Sequence, residues 1–168
     1  MNKYTVAVLV RNQFGVLNRV TSMFRRRQFN IIALTVSETE SNDYSRITVV
    51  FAGDEVNKDQ LINQLYKLPD VCSIRELNQA ESVSCELMLI KMANKPESRE
   101  EILTAAKAFD AKTVDYSREA MIFSLTADST RIDEFINLMR DFTILEICRT
   151  GSVSLEKGGI TIRQVTNL

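Results

Sequence analysis

Histidine and tryptophan are absent from the 168 residues, proline occurs twice and glycine five times. Without histidine the chain has no side chain that ordinarily exchanges protons near neutral pH. It also has no Ser–His or Cys–His nucleophile pair. Three cysteines, Cys72, Cys85 and Cys148, are odd in number and far apart. They form neither a disulfide framework nor short-spaced zinc ligands, and their apolar, strand-like settings predict buried free thiols in a reducing cytoplasm. No apolar run approaches the ~20 residues that would span a bilayer, and the opening MNKYTVAVLVRNQ reads as a strand rather than a signal peptide. The net charge of −1 gives no basic surface of the kind nucleic acids require. These absences point away from catalytic, metal-binding, membrane and nucleic-acid roles.

What is present is ordinary globular material, 45% hydrophobic and 26% charged, patterned twice over. In the strand 3–10, Tyr4, Val6, Val8 and Val10 share one face. A helix over 16–28 carries Val16, Leu17, Val20, Met23 and Phe24 as its apolar stripe. Strands over 30–39 and 45–52 are joined through the turn-rich Glu40-Ser41-Asn42-Asp43. A second helix over 58–68 follows, with Asn57 as its N-cap and Leu61, Ile62, Leu65 and Leu68 inward, and Pro69-Asp70 ends it before a strand over 71–77. After the polar linker 78–82 the order recurs. The strand is 83–92, with Met88 and Met92 as ordinary packing, and the helix is 97–109 with a capping box at Ser98 and Glu101. Strands 112–116 and 120–126 follow, then a helix over 131–141 and a strand over 144–149. The segments LINQLYKLPDVCSIR and FINLMRDFTILEICR repeat Ile-Asn, an apolar strand and a final Arg at similar offsets. The fold class is therefore α+β, with two ferredoxin-like βαββαβ units at 3–77 and 83–150 and an irregular, loosely attached tail over 151–168. Units this small leave sheet edges and thin cores, which predicts at least a dimer.

The residues that suggest chemistry lie in the loop Arg11-Asn12-Gln13-Phe14-Gly15, where strand turns into helix. A helix N-terminus offers unsatisfied N–H donors and partial positive charge to a carboxylate. A free amino acid suits the arrangement. Its carboxylate would meet the N–H groups of Gly15, Val16 and Leu17, and its ammonium the side-chain oxygens of Asn12 or Asn30. An aliphatic side chain would rest on Val16 and Ile31. Asn30 opens the strand after the helix and could reach the site from an adjacent subunit. The same Asn and Gly also suit a plain turn. Arg25-Arg26-Arg27 fits the helix C-terminal dipole better than an anion or partner contact, and Glu38, Glu40 and Asp43 read as solvated carboxylates rather than a metal site.

The stretch VLVRNQFGVLNRVTSMFRRRQFNIIALTV resembles the opening of the ACT domain in the small regulatory subunit of acetolactate synthase, also called acetohydroxyacid synthase. The matching residues are Asn12, Gly15-Val16-Leu17-Asn18-Arg19-Val20, Asn30-Ile31 and Leu34-Thr35-Val36. LINQLYKLPDVCSIREL, CELMLIKM and EICRTGSVSLEKG extend the similarity along the chain. Phe14 stands where the family commonly has a small residue or proline. The resemblance implies a first unit that is an ACT domain, no catalytic site, and no cofactor or metal bound by this chain. It also implies a catalytic large subunit carrying thiamine diphosphate, Mg and FAD, and a homodimer through the ACT domains. The regulatory subunit would activate that partner and confer feedback inhibition by valine or related branched-chain amino acids. The effector contacts carried over are Asn12, Gly15, Val16, Leu17, Asn30 and Ile31. A stand-alone ACT-type sensor acting on another enzyme would show the same site. An acylphosphatase-type enzyme needs more glycines than RNQFG offers, and an RRM-like RNA binder needs more aromatics than SRITVVFA has.

Overall fold

A computed structural model describes residues 2–26 and 29–164. The chain divides into two compact units, one running to Ser84 and resuming at Val153, the other Cys85–Ser152.

The first unit contains β1 (Asn2–Arg11), α1 (Val16–Arg26), β2 (Asn30–Glu38), β3 (Tyr44–Gly53), α2 (Glu55–Leu65) and β4 (Val71–Glu76). Its sheet is antiparallel throughout, in the order β2-β3-β1-β4. Val6, Val8 and Val10 of β1 and Ile47, Val49 and Phe51 of β3 face Val16, Val20 and Phe24 of α1 and Leu61 and Leu65 of α2. Alternation along the strands and helical spacing along the helices thus converge on one core. Phe51 is ringed by Phe24 and Phe29 in edge-on contacts at 6.1 and 5.6 Å, a geometry that aromatic rings favour.

The second unit holds most of β5 (Ser82–Ala93), then α3 (Arg99–Ala108), β6 (Lys112–Tyr116), β7 (Ala120–Ala127), α4 (Ser129–Met139) and β8 (Ile144–Arg149). Its strands order as β6-β7-β5-β8, the same topology as the first unit. Met88, Ile90 and Met92 meet Phe123, Ile102 and Phe135 in its core.

Four expectations are corrected. The helix expected from residue 58 starts at Glu55, because Asp54 rather than Asn57 is the cap and its Oδ1 accepts from the Asn57 N–H at 2.7 Å. The 97–109 helix begins at Arg99, and Ser98 precedes it without any side-chain cap bond. Cys72 and Cys148 are exposed and Cys85 is partly so. Cys72 and Cys148 lie on β4 and β8, which end the strand orders of their sheets and so have fewer neighbours to bury them. Finally, residues 153–156 are not an irregular tail but strand β9 (Val153–Glu156), paired with β5 and followed by a 3₁₀ turn at Ile162–Gln164. Arg27, Gln28 and the last four residues lie outside the described residues.

Candidate functional site

β1 ends at Arg11, and the chain bends through Gln13 and Phe14 into α1. Gly15 sits at φ +80°, the left-handed region that residues with a Cβ seldom occupy. A Cβ there would lie 3.5 Å from a guanidinium nitrogen of Arg19, an ordinary contact, so torsion rather than crowding selects glycine. Phe14 does not close the bend, for its ring is fully exposed at 104%.

The Val16 N–H turns back to the Gln13 carbonyl at 3.3 Å. Among the described residues, the N–H groups of Gly15, Leu17 and Asn18 have no backbone acceptor outside the helix, as the first turn of a helix dictates. No acidic residue occupies that turn, so its partial positive charge is uncompensated there. The Val16 side chain is 3% exposed and packs in the core, so it offers no surface to a ligand. Leu17, expected in the inward stripe, is 42% exposed beside Phe14.

Asn12 is held by the β2–β3 hairpin. Its Nδ2 donates to Glu38 Oε1 and to the Asn42 carbonyl, both at 3.0 Å, and its N–H donates to the Asp43 carbonyl at 2.8 Å. Both side-chain bonds use the amide nitrogen, which turns Oδ1 elsewhere. Glu38 therefore serves as an anchor for Asn12. Among the described residues no group of three or more acidic or cysteine side chains is placed to hold a metal.

Arg19, four residues after Gly15 on the same helix face, adds a cation beside the bend. It is fixed by Asp70 through Nε at 2.8 Å and through a terminal nitrogen at 2.7 Å. The signal for it was its helical spacing from Gly15.

The structure does not bring Asn12 and Asn30 together within one chain. Asn30 pairs with Ala52, which pairs with Lys3, whereas Arg11 pairs with Tyr44. Eight residue steps along β1 separate those rungs, about 26 Å of extended strand. Ile31 packs on the core, while a bulge between Ile31 and Ala33 turns Ile32 outward at 46% exposure. The strand pattern alone could not reveal that bulge, which exchanges the outward aliphatic residue for its neighbour.

Known proteins share this chain's sequence pattern and fold. Residues 6–73 match the family described as the AHAS small subunit-like ACT domain, and residues 85–158 that described as the small subunit of acetolactate synthase. A probable acetolactate synthase small subunit of Archaeoglobus fulgidus is 45% identical over 93% of this chain and 98% of its own. The acetolactate synthase small subunit of Bacillus subtilis is 38% identical over 93% and 91%. The crystal structure of the acetolactate synthase small subunit of Thermotoga maritima superposes with a TM-score of 0.86 at 33% identity, covering 95% of this chain and all of that one. With both units matched and relatives aligned nearly end to end, the chain belongs to the acetolactate synthase small-subunit family.

Proposed function

We propose that this chain senses a branched-chain amino acid and passes the signal to its catalytic large subunit, activating that enzyme and conferring feedback inhibition. The observation that carries the reading is the Gly15 bend, which presents open N–H donors at an uncompensated helix start beside an exposed Leu17. A carboxylate at the N–H groups of Gly15 and Leu17 would gain hydrogen bonds and the favourable end of the helix dipole.

The ammonium then needs an acceptor, and the sheet register indicates where one arises. β2 is an edge strand, and two copies joined antiparallel along β2 about a two-fold axis would set each Asn30 beside the other copy's Glu38. Asn12 is already bonded to Glu38. The two asparagines at opposite ends of one sheet therefore become neighbours across a homodimer, with the partly exposed Ile32 and Val36 brought between the copies. Asn12, Gly15, Leu17 and Asn30 make the polar contacts. Val16 and Ile31 act from behind, anchoring the bend and the edge strand. Thiamine diphosphate, Mg and FAD belong to the large subunit. No described helix is long and apolar enough to cross a membrane, and the exposed free cysteines suit a reducing cytoplasm.

Isothermal titration with L-valine, L-isoleucine and L-leucine tests the site. Wild type should bind at least one of them, and Gly15→Asp should lose at least tenfold in affinity through strain and carboxylate repulsion. Unchanged binding in Gly15→Asp would move the site elsewhere. Co-purification of a thiamine-diphosphate enzyme with the tagged chain distinguishes the regulatory subunit from a stand-alone sensor of some other enzyme.

A further inference from the structure

The helices of the first unit cover one face of its sheet, yet Ala7, Leu9, Thr48 and Ser73, which are not among the residues packed against those helices, are at most 4% exposed. The C-terminal segment returns to this sheet, where the 3₁₀ turn at Ile162–Gln164 packs against β1 and β4. Two ties hold the segment to the sheet before that turn. Arg46 of β3 donates to the Ser154 carbonyl at 2.7 Å, and Arg75 of β4 donates through Nε to both oxygens of Glu156 at 2.9 and 2.8 Å. A third tie reaches the β2–β3 hairpin. A terminal nitrogen of Arg163 lies 3.0 Å from Glu40 Oε1, and its guanidinium sits 5.1 Å from the Tyr44 ring centroid. Glu40 and Tyr44 flank the same short turn whose Asn42 and Asp43 carbonyls hold Asn12.

We infer that the C-terminal segment braces the 39–43 hairpin from behind the sheet, making Arg163 a positioning residue for Asn12 in the effector site. The inference rests on the effector reading above for its functional meaning, but the mechanical link from Arg163 to Asn12 lies wholly within the first unit. Releasing Arg163 frees Glu40 and Tyr44, lets the turn open, and loosens the two carbonyls that fix the Asn12 backbone and side chain. Asn12 Oδ1 then no longer waits at one orientation, and a ligand must order it on binding.

The test uses the full-length chain. Amide hydrogen exchange by NMR without ligand should show the Asn12 N–H exchanging about fivefold faster in Arg163→Ala, the scale of one exposed ion pair plus one cation–π contact. Val8 and Val49 in the core should keep their wild-type rates, and Arg163→Lys should recover part of the protection. Unchanged exchange at Asn12 overturns the brace, and so does a uniform rise at Asn12, Val8 and Val49, which would mark plain destabilisation. Titration with L-valine supplies the second arm, in which Arg163→Ala should weaken binding about threefold. If wild type takes up no valine, the effector reading falls while the exchange rates still decide the brace. If Asn12→Ala abolishes valine binding and Arg163→Ala leaves it intact, the brace falls and the site stands.

Discussion

At the residue scale, the clearest electrostatic arrangement is in the second unit and lies away from the candidate site. Glu86 is 3% exposed, accepting from Arg149 Nε at 2.6 Å and from Ser129 at 2.8 Å, while another Arg149 nitrogen reaches Asp133 at 2.7 Å. Burial alone would push the Glu86 carboxyl up, but the bonds from Arg149 and Ser129, with the Arg149 charge, outweigh it and hold it below the ordinary range. A folded-state pKa below the unfolded one gives stability that is present above the unfolded value and is lost as pH falls. Wild type should therefore lose stability as the pH drops below about 4.3. Arg149→Met leaves the buried carboxylate without its charged hydrogen-bond donor, which should cost about 2 kcal/mol at pH 7. Burial then raises the Glu86 pKa, so the variant's deficit should shrink toward pH 4 as the group takes up a proton. Urea midpoints at the two pH values check this, and a deficit that grows on acidification would contradict it. None of this network could be read from sequence, since Glu86 and Arg149 are 63 residues apart and meet only through the pairing of β5 with β8.

At the element scale, the apolar stripes and alternations were legible because they follow the local periods of helix and strand. Val20, Phe24, Leu61, Leu65, Ile132, Phe135 and Met139 are all buried as their spacing predicts. Helix starts were less legible, since several polar residues precede each stripe and any of them can cap. In α2 the Asp54 carboxylate caps one turn before Asn57, and in α4 Asp128 accepts from the Arg131 N–H at 3.0 Å. Ser98 stands at the same place before α3 and makes no cap bond. Asp54→Ala and Asp128→Ala should each cost about 1 kcal/mol, and Ser98→Ala close to nothing. Chemical denaturation of the three variants side by side measures the contrast; an equal loss in Ser98→Ala would mean that its hydroxyl caps in solution.

At the scale of the whole molecule, the question is how the proposed effector contacts Asn12 and Asn30, at two ends of one sheet, could serve one site. The proposed answer is a two-fold dimer along β2, whose Ile32 and Val36 are 46% and 40% exposed in the single chain. Ile32→Lys with Val36→Lys would place like charges across that axis and should turn the dimer into a monomer. Size-exclusion chromatography with light scattering reads the mass, and titration of the same double variant should show valine affinity falling with dimerisation. A monomer that binds valine as tightly as wild type would show that Asn30 takes no part.

The sequence by itself determined the order of elements, the two βαββαβ units, the glycine at the bend and the resemblance to the acetolactate synthase small subunit. These depend on residues close together in the chain, where period, turn chemistry and motif act over a few positions. The tertiary structure decided the rest: that Asn30 lies far from Asn12, that a bulge turns Ile32 outward in place of Ile31, that Val16 faces the core, and that Arg163 returns to the hairpin. Antiparallel register and edge position fix such neighbours across long separations. A chain read one residue after another carries no term for them.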